Sequence, residues 1–186
     1  MSGYKFRVLI DSEKQEEIFR DIWISGSSNF ESFYNTIIKS FGFSGQELAS
    51  FYVSNDDWDK GEEISSMDMS FGEEDDANAP AMMTTSFLDE YTKDEDQKFL
   101  LVYDFMRMWI FLIELIETTE EAPAEPEIIL SVGESPQETD KDFTDGQFVT
   151  VGAGVGNSGD GDDYGFDDMD DGFDESEFDN IDDYDI

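Results

Sequence analysis

Histidine and cysteine are both absent from the 186 residues. The usual general base near neutrality and the strongest side-chain nucleophile are therefore missing. A Ser-His-Asp triad cannot be built, and zinc sites that use His or Cys are excluded. What remains is carboxylate, lysine or tyrosine chemistry. With 48 acids against 10 bases, two acids fall near one another almost anywhere by chance. No catalytic residue, metal ligand or cofactor is assigned, and a non-enzymatic chain is expected.

One acid stands apart. Asp104 lies inside the most apolar stretch, Phe99 to Ile116. Burial raises a carboxyl's pKa unless a partner holds its charge, and Arg107 is three residues away. The expected role of Asp104 and Arg107 is a structural pair at a hairpin end. Trp58, Trp109, Tyr103 and Phe51 are expected in the core rather than on a ligand platform.

Two patterns lie toward the C-terminus. Asp160, Asp162 and Gly165 partly follow an EF-hand loop. Its fifth and twelfth positions, however, hold Tyr164 and Asp171, where an oxygen ligand and a Glu belong. Loose cation condensation is expected there, not a specific site. The second pattern sets Tyr164, Phe166, Met169, Phe173, Phe178, Ile181 and Tyr184 in Asp-rich sequence. Segments of this composition dock on basic grooves: acids keep the apolar side chains solvated and steer the approach, and aromatics anchor on contact. The final Asp182, Asp183, Tyr184, Asp185 and Ile186 are similar to the acidic, apolar-ended tips by which bacterial single-stranded-DNA-binding proteins recruit other proteins, although the last pair differs. A solubilising bristle without a defined partner is the alternative.

The net charge is −38. Sixteen acids lie from Asp142 onward, with no Lys or Arg after Lys141, which leaves 32 acids against the 10 bases before them. Phosphate backbones and anionic membranes need clustered bases, so neither is an expected partner. A basic protein surface suits this field. The absence of cysteine fits a reducing, cytoplasmic location. Met1 to Ile10 has no charged region leading into an apolar run, so no signal peptide is read. Asp104, Arg107 and Glu114 interrupt Phe99 to Ile116, which makes it a poor membrane span.

Tyr4, Phe6, Val8 and Ile10 alternate with Lys5, Arg7 and Leu9, the period of a strand. A second strand at Ile18 to Ile24 sets Ile18, Ile22 and Ile24 on one face and Phe19 and Trp23 on the other, completing a hairpin. Phe30, Phe33, Tyr34, Ile37, Ile38 and Phe41 form a helical stripe. Asn29 or Ser28 caps its start, Glu31 and Lys39 suit its dipole, and Gly42 stops it. Leu48 to Ser54 reads as a third strand, and Trp58 with Glu62 to Met69 as a fourth. Phe71 to Ala81 reads as an exposed loop, part of an acidic stretch at about 70–84. Ser86 and Asp89 form a capping pair for a short helix carrying Leu88 and Tyr91.

Phe99, Leu101, Tyr103 and Phe105 alternate again. After a turn at Met106 and Arg107, Trp109 to Ile116 is apolar on both faces, as in a central strand. A buried helix competes for Phe99 to Ile116, but aromatic and β-branched residues favour the hairpin. Glu125 to Val132 adds an edge strand. From 137 to 186 low hydrophobic density and high charge predict disorder. The expected organisation is an α+β domain over 1–136 and an acidic tail.

Val102-Tyr103-Asp104-Phe105, then Trp109, then Ile113-Glu114-Leu115, resembles the plasmid pRiA4b ORF-3-like family, some members of which are labelled passenger TnpR-like proteins. The family shows Tyr-Asp-Phe-Gly-Asp, then Trp-x-His, then Ile-x-Leu-Glu. Tyr4-Lys5-Phe6-Arg7-Val8, Ser40-Phe41-Gly42-Phe43 and Gly133-Glu134-Ser135-Pro136 follow in the same order, so the resemblance covers about residues 3–140. Met106-Arg107 stands where the family has Gly-Asp, and Phe111 where it has His. The resemblance implies a mixed or antiparallel sheet around one main helix, β-grasp-like, and no reaction. A DNA-mimic competitor of a nucleic-acid-binding protein, or a carboxylate- and metal-dependent enzyme, are the alternatives to a protein-interaction module.

Overall fold

Period-2 side chains draw β1 (Gly3–Ile10) and β2 (Phe19–Ser25) into an antiparallel pair, Val8 opposite Arg20 and Phe6 opposite Ile22. In this computed structural model residues 2–12, 17–68 and 79–142 are described. The chain divides into two units, Met1–Ala153 and Gly154–Ile186, and every described residue belongs to the first. The remaining elements are α1 (Phe30–Phe41), β3 (Ala49–Ser54), β4 (Glu63–Ser65), β5 (Ala81–Met82), α2 (Leu88–Tyr91), β6 (Lys98–Tyr103), β7 (Trp109–Thr119) and β8 (Glu127–Val132). The strands form one sheet in the order β5-β4-β3-β6-β7-β1-β2-β8. Only the β4–β5 pair is parallel among these pairings, so the sheet is mixed.

Helix α1 starts where the Asn29 carboxamide accepts the Ser32 amide at 2.9 Å. It ends at Gly42, whose φ of 74° is open to a residue without Cβ. The whole apolar stripe of α1 is buried. It lies on one face of the sheet, where Phe33 meets Phe6 at 5.0 Å, Phe30 meets Phe51 at 5.0 Å and Phe41 meets Phe111 at 5.2 Å between ring centroids. Each such side chain contributes about 1.5–3 kcal/mol by burial. Within the described residues no helix is long and apolar enough to cross a membrane.

Arg20 shares its face with Ile22 and Ile24 and is buried with them. Its guanidinium donates to the carbonyls of Phe19, Ser40, Val132 and Gly133 and to the Ser135 hydroxyl, and it stacks on Phe41. Burial lowers its pKa. One cation thus joins β2, the end of α1, where carbonyls carry the negative end of the dipole, and the turn after β8. Replacing Arg20 with Leu is expected to cost about 2 kcal/mol by stranding those carbonyls. Lys, which lacks the planar fork, is expected to restore little. Urea unfolding checks this, and an unchanged midpoint would make the clamp dispensable.

Several sequence expectations are corrected. Phe105 does not extend β6: the backbone turns at Asp104 and leaves Phe105 exposed. Trp58 sits outside β4 and outside the core, at a φ of 59°, with the Lys98 ammonium 5.9 Å from its ring centroid. Strand β7 is central, but only Trp109, Phe111, Ile113 and Leu115 are buried, while Ile116 on the opposite face is exposed. The reason is that α1 covers one face alone. The short helix α2 is capped at Phe87, whose amide the Glu90 carboxylate accepts at 2.9 Å, while Asp89 accepts the Tyr4 hydroxyl. At the end of the acidic stretch Ala81 and Met82 form β5 and Met83 is buried, so the chain is already in the fold there. Residues 69–78 lie outside the described residues.

Candidate functional site

The β6–β7 turn is built around the residue pair singled out from sequence. Asp104 adopts a φ of 57°, a conformation Asp tolerates better than most L-residues. Its buried carboxylate accepts the amides of Met106 and Arg107 at 3.0 and 3.1 Å and faces the Arg107 guanidinium at 3.2 Å. The Asp104 carbonyl accepts the Met108 amide, and its own amide donates to Leu48, which fastens the turn to the start of β3. All of these Asp104 contacts shape the turn, and none leaves the carboxylate facing a ligand.

Beneath this turn Tyr103 and Trp109, paired across β6 and β7, hold the segment that follows β8. The Tyr103 hydroxyl donates to the Glu138 carboxylate at 2.5 Å, and the Ser44 amide and hydroxyl donate to it at 2.8 and 3.0 Å. The Trp109 indole donates to the Glu138 carbonyl. The Lys141 ammonium donates to the Met108 carbonyl at 3.0 Å and lies over the Trp109 ring. Glu138 and Lys141, which composition alone set beyond an edge drawn at 136, are therefore bonded to the domain.

Burial by itself raises the Glu138 carboxyl, but the donors from Tyr103 and Ser44 outweigh it and hold the group below the usual glutamate range. Burial first, then the Glu138 bond, raises Tyr103. Both pKa values move away from neutrality, so the pair is poorly poised for general acid–base transfer. A depressed folded pKa gives stability that is present above the unfolded value of about 4.3 and lost as pH falls through the folded one. The stability gap between wild type and Glu138→Gln is thus expected to shrink below about pH 4.3. Urea titrations across pH 3–7 measure it; a gap that is constant with pH would contradict the clasp.

The sheet face opposite α1 carries a different feature. A groove of about 560 Å³ there is lined by the apolar side chains of Leu48, Met67, Pro80, Phe105 and Met108 and by Tyr52 with the charged Lys60 and Glu63, the Lys60 ammonium lying over the Tyr52 ring. Leu48, Met67 and Phe105 are exposed there. Two side chains of β6 on the same face, Leu100 and Val102, are fully buried yet stand outside the helix-side core. No described helix covers this face. Burial, followed by the Glu63 charge and hydrogen bond, pushes the Tyr52 phenol up to about 12.

Among the described residues Lys5, Arg7, Lys98 and Arg107 pair with acids. Arg7 makes two 2.8 Å bonds to Asp21, Lys5 meets Glu117 at 2.8 Å, and Lys98 meets Asp56 and Glu114. Among the described residues no three acidic side chains converge as a metal site. Asp104 and Arg107 are brought together. The tail residues Tyr164, Phe166, Phe173, Phe178, Asp182, Asp183, Tyr184, Asp185 and Ile186, and the Asp160–Asp171 loop, lie outside the described residues. Sequence reasoning missed Arg20 and Glu138. Parity with Ile18, Ile22 and Ile24 signals the first; the second is 35 residues from Tyr103 and carries no local signal.

Taken with this fold, the sequence pattern of the plasmid pRiA4b ORF-3-like proteins matches residues 2–180. The chain belongs to the plasmid pRiA4b ORF-3-like family. The family match runs past residue 140, where the resemblance read from motifs stopped. Phe111, which stands where the pRiA4b ORF-3-like pattern has His, is fully buried against Phe41 and Phe43. A crystal structure of a protein of unknown function from Methanosarcina mazei Go1 is similar in fold, with a TM-score of 0.61 at 18% identity over 76% of this chain and 75% of that one. No curated protein matches the chain.

Proposed function

We propose that this chain is a non-enzymatic protein-interaction module whose acid-rich, aromatic-studded C-terminal segment engages a basic protein surface. The observation that carries it is uncompensated charge: no base follows Lys141, while fourteen acids follow from Asp160 onward, interleaved with Tyr164, Phe166, Phe173, Phe178 and Tyr184. The domain's bases are mostly committed to its own acids and carbonyls, which supports a partner that brings the positive charge. A reducing cytoplasmic setting suits a chain without cysteine.

Affinity capture from native lysate at low salt tests this, comparing the full chain with one ending at residue 159. Loss of basic partners on truncation supports the reading. Capture that persists without residues 160–186 would shift the binding to the acidic domain surface, the DNA-mimic arrangement.

A further inference from the structure

The sheet ends on one side at β8, which pairs with β2 alone among the described strands. Its residues are exposed throughout, including Ile128, Ile129, Leu130 and Val132. The phase of the ladder shows which backbone groups are unused. The Ile10 amide donates to the Ile18 carbonyl and the Gly26 amide to the Ser2 carbonyl, so the even-numbered residues of β2 bond to β1. Its odd-numbered residues therefore face β8, where Phe19 meets Val132 and Asp21 meets Leu130. Ser131, between them, turns its amide and carbonyl away from β2, toward the open edge.

Edges of this kind are usually blunted by Lys, Pro, short length or a bulge. From Ile128 to Gly133 the chain has neither Lys nor Pro. The β2 register skips Ile129, a bulge that distorts the start of the strand and leaves Leu130 to Val132 regular. The opposite edge strand, β5, has only Ala81 and Met82. Charge and parity decide the occupant. Ile128 to Gly133 carries no acid either, so the strip offers nothing to the basic surface that the rest of the chain attracts. A neutral apolar strand fits it, and β8 is itself such a strand. Antiparallel pairing about Ser131 sets Ser131 opposite Ser131 and Leu130 opposite Val132 twice, apolar on apolar on one face and hydroxyl by hydroxyl on the other. In that register Glu127 falls across from Ser135 and Glu134 from Ile128, so no acid opposes an acid. A strand paired with itself is two-fold, the commonest symmetry of homo-oligomers.

We infer that β8 is a self-association edge, through which two copies of this chain join their sheets antiparallel about Ser131. The two Ser131 residues exchange amide-to-carbonyl hydrogen bonds, and Leu130 and Val132 of each copy meet on the face that Phe19 shares. A net charge of −38 on each copy opposes approach, and the neutral strip keeps that repulsion away from the contact. This contact is independent of the partner reading, because it involves neither residues 160–186 nor a base.

Sedimentation equilibrium of the full chain tests the inference. A concentration-dependent dimer is expected, tightening as salt rises from about 0.01 M to about 0.15 M and the Debye length shortens. Capture of basic proteins has the opposite salt response. Ser131→Pro removes only an outward amide, which an edge strand tolerates, and is expected to weaken association at least about tenfold at an unchanged urea midpoint. Should that midpoint fall, Leu130→Lys, at an exposed side chain, supplies the same test by placing a charge in the contact. The chain has no native cysteine, so Ser131→Cys reports the register. Opposed Cα atoms in such a pair lie about 5.5 Å apart, within disulfide reach, and mild oxidation is expected to link two chains. A chain still monomeric at about 1 mM, or a dimer that neither variant weakens, would overturn the proposal. So would a dimer that Ser131→Cys fails to link.

Discussion

Removing residues 160–186 is expected to abolish salt-sensitive capture of basic proteins while leaving the thermal midpoint almost unchanged. The truncation takes away fourteen acids, five aromatics that punctuate them and no base. It leaves intact Arg20, the Asp104 turn and the Glu138 clasp, which hold the domain together. An association steered by exposed charge weakens as the Debye length falls from about 30 Å at 0.01 M salt to about 8 Å at 0.15 M. Capture by the full chain should decline across that range. A truncated chain that still captures the same partners with the same salt response would refute the assignment. Calorimetry on both chains checks the stability half.

Asp104→Leu is expected to be the most destabilising single change on the pair, at about 2–3 kcal/mol, the cost of leaving buried backbone amides without their acceptor beside a half-buried guanidinium. Leu loses the acceptor for the Met106 and Arg107 amides, and it resists the positive φ that starts the turn. Asp104→Asn keeps an oxygen acceptor and tolerates that backbone, losing only the charge. It is expected to cost about 1–2 kcal/mol. Urea midpoints at constant slope separate the two. A Leu variant no less stable than the Asn variant would show that the turn does not depend on this carboxylate.

The elements legible in the sequence are those whose burial follows one period over many residues. Tyr4 to Ile10, the Phe30–Phe41 stripe and the Phe99–Tyr103 and Trp109–Leu115 alternations each face one core, so periodicity alone placed them. Positions set by backbone conformation escaped. Trp58 and Phe105 look like core aromatics by composition, yet Trp58 itself takes a positive φ, Phe105 follows one that does, and neither packs in the core. Sidedness escaped as well: β7 reads as buried on both faces, yet its Ile116 is exposed, whereas β6 is buried on both.

The site was legible only where its partners are close in sequence. Asp104 and Arg107 are three residues apart, and proximity sufficed. Tyr103, Ser44, Trp109 and Glu138 converge from four separate segments, and nothing in the local pattern of any one announces the others. The groove is likewise a product of sheet order, since Leu48, Met67 and Phe105 become neighbours only once β3 lies between β4 and β6.

The most direct measurement of the proposed role keeps every acid and removes the anchors. Tyr164, Phe166, Phe173, Phe178 and Tyr184 are replaced together by Ser in the full chain, and capture of basic proteins is compared with wild type at matched low salt. Loss of capture at unchanged net charge is predicted, because steering charge alone does not hold a partner. Undiminished capture would contradict the account and reduce the segment to a solubilising polyanion.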